Sequence, residues 1–309
     1  MRVALVFTVL DESPTIGDLL SSLDRQTRQP DEVVVVDGGS RDGTVATLQA
    51  WAARAPHRTV LVVPGAGISA GRNRAVAAST ADVLAVTDAG CTLGDRWLEH
   101  LLAPLADPAV AVSMGFYAPD ARTRFEVLVS CLNLPDAHEV DPEAFLPSAR
   151  SVAYRREVFD AVGGYPEWLA IGEDMHFDLA MVRLGFRRVF APDAVVHWRL
   201  RADVRSFVRQ YYRYARGDGI AGMHPRRHAA RFATYGALAA TLLGPVRTRP
   251  LAAVPLAGLA WWMRPSIPRA RRRLGREWPL ALVAVPPLTA AMDAAKIAGY
   301  VAGRLQGRR

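Results

Sequence analysis

Short unbroken apolar runs alternate with helical spacings along the first part of the chain. The runs lie at 3–8, 33–36, 60–63 and 83–87, and helical periodicity follows each at 14–26, 44–55, 69–78 and 96–105. The runs are rich in valine and end in glycine or a polar residue. Unbroken β-branched runs are what a parallel sheet covered on both faces requires, because each strand buries both of its sides. The expected class is therefore α/β: a doubly wound, mostly parallel, Rossmann-like sheet with ligands at the carboxyl ends of the strands.

From Pro119 the pattern loosens. A helix is expected over 122–132, a loop rich in proline and acids over 135–147, and two helices over 155–162 and 173–184. Beyond Val204 the composition changes. Aromatic residues and arginines take helical spacing over 206–216, and apolar stretches follow at 232–246, 251–263 and 278–303. A full membrane span needs about 20 apolar residues. The first two stretches fall short; the third is long enough but holds Asp293 and Lys296. The cluster Arg264, Arg269, Arg271, Arg272, Arg273 and Arg276 suits the cytoplasmic flank of a membrane segment. A soluble helical subdomain with a solvated basic loop is the alternative. The expected organisation is a catalytic domain over 1–200, an amphipathic interfacial region over 201–230 and membrane-associated apolar helices over 231–309.

Composition narrows the partners. The 309 residues carry a formal charge of +8, nearly all of the positive groups being arginine. That balance suits phosphate-rich ligands or anionic lipid. Nucleic acid is not expected, since zinc-ligand spacing, a basic zipper and an aromatic RNA-binding signature are all missing. Cys91 and Cys131 are far apart and read as buried small side chains in a reducing compartment. Arg2 with the run after it reads as a first buried strand, not a signal peptide.

The chemistry-bearing residues cluster where strands end. Asp37 closes the second run before Gly38, Gly39 and Ser40, and could accept hydrogen bonds from a nucleobase; Asp42 reads as a helix cap. Gly65, Gly67 and Gly71 precede Arg72 and Asn73 at a strand-to-helix turn, where backbone N–H groups can face phosphate. With Asp88 beyond them they also mimic a dinucleotide fingerprint, so an NAD(P)-dependent oxidoreductase is a competing reading. Asp88 leaves the fourth run and could hold Mg²⁺ or Mn²⁺ on a donor diphosphate. Gly90 supplies no second ligand, so His197 is the candidate helper. Glu173 and Asp174 open a helix behind Gly164, Tyr165 and Trp168. One acid could serve as a general base towards an acceptor hydroxyl, and the aromatic rings could stack on a sugar. Gln210, Arg213 and Tyr214 share one helical face, from which Arg213 could grip a departing diphosphate.

Taken in order over residues 3–218, these segments resemble glycosyltransferase family 2. They are Val-Asp-Gly-Gly-Ser-Arg-Asp-Gly-Thr, Gly-Arg-Asn, Thr-Asp-Ala-Gly-Cys, Gly-Gly-Tyr-Pro-Glu-Trp with its Glu-Asp, and the following His. The resemblance implies a GT-A fold and sugar transfer from a nucleotide diphosphate donor to a hydroxyl, with inversion at the anomeric carbon. It implies Asp37 at the base, Asp88 at the metal with His197 nearby, and Asp174 as the catalytic base with Glu173 beside it. Thr8, Leu10, Glu12, Gly39, Arg72, Asn73 and Ala89 would complete the donor site, and Gly164, Tyr165 and Trp168 the acceptor side. The segment from Gln210 to Tyr214 looks like the Gln-x-x-Arg-Trp motif of membrane-bound polysaccharide synthases, with Tyr for Trp. From the apolar tail, a lipid-linked or polysaccharide acceptor is expected, at the cell membrane with the catalytic domain in the cytoplasm. Two departures stand out: Gly38 replaces a second acid, and the Asp-x-Asp metal motif is reduced to Asp88-Ala-Gly90. The second departure keeps open a catalytically inactive membrane scaffold of the same fold.

Overall fold

The computed structural model describes residues 1–307, and the chain forms two compact units. One comprises Met1–Asp120 and Ala137–Arg199; the other comprises Ala121–Asp136 and the chain from Leu200 onward. The segment 121–136 thus groups with the chain beyond Leu200.

The first unit opens with the expected alternation. β1 (Val3–Val9), α1 (Ile16–Asp24), β2 (Glu32–Asp37), α2 (Thr44–Ala52), β3 (Arg58–Val62), α3 (Ile68–Ala77) and β4 (Val83–Val86) follow one another. β1 pairs in parallel with β2 and β4, and β2 with β3. Beyond them lie strands whose existence the sequence pattern did not announce: β5 (Cys91–Leu93) before α4 (Trp97–Leu102), then β6 (Val112–Asp120). After α5 (Arg124–Asn133), which belongs to the second unit, come β7 (Val152–Arg155), α6 (Arg156–Val162), α7 (Glu173–Arg183) and β8 (Arg188–Arg199). The sheet has eight strands in the order β3-β2-β1-β4-β7-β6-β8-β5. β7 runs antiparallel to both β4 and β6, β5 runs antiparallel to β8, and β6 and β8 are parallel.

Strand alternation divides the core in two. Val3, Leu5, Phe7 and Val9 face one side with Leu19, Leu48 and Trp97. Ala4 and Val6 face the other with Val76, Val158 and Phe177. Both sides are filled by helices, which is why these strands read as continuous apolar runs.

In the second unit, α5 starts with a capping box in which Thr123 accepts from the Glu126 backbone and Glu126 reaches back. Four longer helices and a basic one follow: α8 (Val204–Ala221), α9 (Pro225–Leu243), α10 (Ala253–Met263), α11 (Ser266–Leu274) and α12 (Leu280–Gln306). Most of the arginine cluster is helical: Arg269, Arg271, Arg272 and Arg273 lie on α11, with Arg264 and Arg276 flanking it. Arg272 and Arg273 pair with Asp136, and Arg269 and Arg273 donate to the carbonyls of Cys131 and Leu134 at the end of α5. Cys131, Ala270, Ala281 and Val285 bury a small core between α5, α11 and α12, which explains why α5 leaves the sheet unit. α12 is the one described helix long and apolar enough to cross a membrane, and 39% of its apolar window is buried within the protein. Its Asp293 is buried, accepting from Arg231 Nε and the Tyr235 hydroxyl. α12 lies directly on α8 through glycines. A Cβ on Gly299, Gly303 or Gly219 would stand 2.2 to 2.4 Å from a carbonyl of the facing helix.

Candidate active site

The site grows from the ends of β1, β2 and β4. At the end of β2 the Asp37 carboxylate turns back on its own loop. Oδ1 accepts from the N–H groups of Gly39 and Ser40, and Oδ2 from the Ser40 hydroxyl. The side chain is fully buried. Its visible work is to shape the loop, in which Gly39 takes φ +100°, a left-handed conformation suited to glycine. Gly38 has a steric reason: a Cβ there would approach the Ala66 carbonyl to 2.8 Å. The missing second acid of the motif follows from this close loop packing. Asp42 does hold the start of α2, accepting from the Thr44 N–H and hydroxyl. Asp11 and Ser40 knit the neighbouring loop to this one. In that neighbouring loop Leu10 is exposed, and Glu12 accepts from the Thr15 hydroxyl.

α3 is drawn close to the strand tips because Gly71 has no side chain. A Cβ there would meet Thr8 Cγ2 at 2.5 Å. The glycine is therefore a packing device that lets α3 approach β1. The next residue, Arg72, enters the interior and joins two parts of the sequence. Nη2 donates to Asp88 Oδ1 at 2.7 Å and Nη1 to Glu173 Oε1 at 2.8 Å. Its guanidinium carbon lies 5.1 Å from the Tyr165 ring. Burial works against its charge, but Asp88, Tyr165, Glu173 and Asp174 outweigh that cost and hold the guanidinium above its ordinary pKa. Burial has the opposite result for Glu173. With help from Asp174 it outweighs the Arg72 ion pair and pushes the carboxyl above the usual range.

Asp174, next on α7, is half-buried, and one oxygen accepts from the Met175 N–H. Of the adjacent acids, it is the more accessible. Asp178, one turn further, is buried with Oδ2 unpartnered, and its carboxyl is pushed well above the usual range by burial and by Asp174. Cys91 is buried beyond Asp88; burial and the Asp88 charge push its thiol up to about 12. It is inert, as expected of a structural cysteine.

Three expected ligand contacts are otherwise engaged. Asn73, assigned to the donor, instead splints the turn before α7. It donates to the Tyr165 carbonyl and Glu167, and accepts from the Tyr165 N–H. Tyr165, assigned to sugar stacking, is buried, stacked on Phe177 and hydrogen-bonded to the Tyr154 hydroxyl. Gly164, at φ +78°, lies against Asn73 and Phe159 and serves the turn. Trp168 alone of this group presents an open face, at 62% exposure.

At the metal position, Ala89 is buried, and among the described residues Asp88 joins no group of three acidic, histidine or cysteine ligands. His197 pairs with Thr92 across β5 and β8 and is exposed, on the strand side opposite Val196 and Trp198. The structure places a different side chain beside Asp88: Arg150, with Nε 3.9 Å from Oδ2. The sequence reading passed over it because a single arginine before a short strand has no motif. Gln210, Arg213 and Tyr214 lie on α8 of the second unit, where Gln210 Nε2 donates to the Tyr214 hydroxyl and Arg213 is exposed.

Comparison with known proteins agrees with this geometry. Residues 5–163 match the model for glycosyl transferase family 2, and residues 142–267 that for glycosyl transferase family group 2. Succinoglycan biosynthesis protein ExoA of Rhizobium meliloti is 30% identical over 69% of this chain and 68% of its own length. Glycosyltransferase AglE of Haloferax volcanii is 26% identical over 62% of this chain, which spans 65% of that relative's length. The fold is that of a mannosyltransferase from Pyrobaculum calidifontis solved with GDP-Man and Mn²⁺. The TM-score is 0.59 at 21% identity, over 98% of this chain and 86% of that one.

Proposed function

Because the chain belongs to glycosyltransferase family 2, we propose that it inverts the anomeric centre of a nucleotide-diphosphate sugar while moving the sugar to an acceptor hydroxyl. The observation that carries this reading is the strut Asp88–Arg72–Glu173, which sets the tip of β4 against the first turn of α7. The donor's diphosphate would lie at Asp88, and Asp174 would face the acceptor. Asp174 takes the hydroxyl proton as the oxygen attacks; attack on the face opposite the leaving group gives inversion. Glu173 is buried with Oε1 held by Arg72, which leaves the half-buried Asp174 as the accessible acid of the two. Trp168 offers the acceptor a stacking face.

A divalent cation, Mg²⁺ or Mn²⁺, would find one protein carboxylate here, Asp88, and both of its oxygens face arginine. The residues fit an ion carried in on the donor's phosphates, as Mg²⁺ commonly is, and not a resident protein cage. Such an ion would help balance the charge of the departing diphosphate.

The acceptor we propose is lipid-linked or a growing polysaccharide of the cell envelope. Relatives named for O-antigen chain and succinoglycan synthesis support that class. The exposed apolar helices of the second unit support attachment to a membrane, and the reading sets the catalytic unit on its cytoplasmic side.

The test is release of nucleoside diphosphate from a panel of donors by membranes containing the protein. Asp174→Asn is expected to cut turnover by about 10²–10⁴ while leaving donor affinity near that of wild type. Unchanged turnover would remove Asp174 from the role of base.

A further inference from the structure

Asp88 meets a second cation that the strut does not use. Arg150 reaches it from the loop before β7, and its guanidinium lies 4.1 Å over the Trp198 ring and 5.6 Å from that of Tyr117. Nη1 donates to Ser148 Oγ at 2.6 Å, and the Arg150 carbonyl accepts from Thr87 Oγ1, the residue beside Asp88. Backbone and side chain are thus both fixed relative to the β4 tip. The side chain keeps 17% exposure. Two residues after Asp88, a Cβ on Gly90 would meet nothing within 4 Å. Space does not exclude a second carboxylate there; the chain carries a stacked arginine beside Asp88 and no second acid at 90.

We propose that Arg150 is a direct protein contact of the donor's diphosphate, supplying at Asp88 positive charge that a second metal-binding acid would otherwise recruit as an ion. This rests on the reading that a nucleotide-diphosphate sugar binds at Asp88. A guanidinium matches phosphate with a planar fork of donors, and stacking on Trp198 removes rotamer freedom before the ligand arrives. Arg72 cannot take this part, since its two terminal nitrogens are committed to Asp88 and Glu173 inside the protein. Without Arg150, the repulsion between the Asp88 carboxylate and the diphosphate would be less compensated.

The experiment is a calorimetric titration of the full-length, detergent-purified chain with UDP and GDP, and with UMP and GMP, each in EDTA and in Mn²⁺. Wild type is expected to bind at least one diphosphate in EDTA. Arg150→Met is expected to weaken that binding by about tenfold or more while changing monophosphate affinity less than about twofold, because the second phosphate is what the guanidinium holds. If Arg150→Met fails to fold, Arg150→Lys decides: it keeps the charge, loses the fork, and should weaken the diphosphate alone by a smaller factor. Gly90→Asp in the Arg150→Met background should restore diphosphate binding only with Mn²⁺. Equal diphosphate affinity in wild type and both Arg150 variants would overturn the proposal and leave the glycosyltransferase reading standing. A wild type that binds neither nucleotide pair, with or without Mn²⁺, would overturn both.

Discussion

A buried guanidinium between two carboxylates fixes the charge of its surroundings, and around Arg72 the acids divide into kinds. Asp88 keeps one open side, Asp174 keeps partial access to solvent, and Asp178 is buried with Oδ2 lacking a hydrogen-bond partner in the protein. Asp178 therefore holds its proton in the fold at a pH where the unfolded chain has released it. The folded state then binds more protons, so stability falls as pH climbs from the ordinary carboxylate range towards the raised value, and the loss is absent below that range. Asp178→Asn is expected to raise the melting temperature at pH 8 more than at pH 4, and to flatten the stability–pH curve between them. An equal effect at both pH values would mean that the carboxyl titrates normally. At this scale the sequence was legible for residue type and poor on burial. Tyr165 and Trp168 carried equal claims as stacking faces. The Gly163-Gly164 turn and the Asn73 splint send one inward and leave the other out, and those contacts join residues about ninety positions apart.

Elements that depend on local pattern were readable; those defined by partners were not. β1, β2 and β4 were visible because each is buried on both sides and reads as a valine-rich run, and β3, a half-exposed edge strand, still shows its apolar run at 60–62. β5 is too short to show a period, and β6 to β8 alternate strand direction around β7, information that sits in pairing and not in spacing. The same division holds for α12. Its apolar length is plain from sequence, yet its contact with α8 rests on three glycines that look unremarkable along the chain. A side chain at Gly303 would strike the Arg216 carbonyl. Gly303→Leu must push the helices apart and is expected to cost about 1–3 kcal/mol, the usual penalty of overpacking. Chemical denaturation monitored by tryptophan fluorescence would read it. An unchanged midpoint would show that the α8–α12 contact does not bear on stability.

For the molecule as a whole, the second unit leaves large apolar side chains uncovered, among them Leu243, Val254, Val283, Trp261 and Trp262. Exposed apolar groups in such number, with arginines nearby, suit the boundary of a bilayer. Cells expressing the protein should yield it in the membrane fraction, released by detergent but not by 1 M salt, since salt screens charge alone. Full release by salt would assign attachment to the arginines. The path of α5 carries a further consequence. The chain passes between the units at 120/121, 136/137 and 199/200. A gene fragment ending at codon 199 would encode α5 without the residues that cover Val127, Leu128 and Leu132, and its product should precipitate. One recombination joint cannot exchange the helical unit for another; inheritance must carry residues 121–136 along with it.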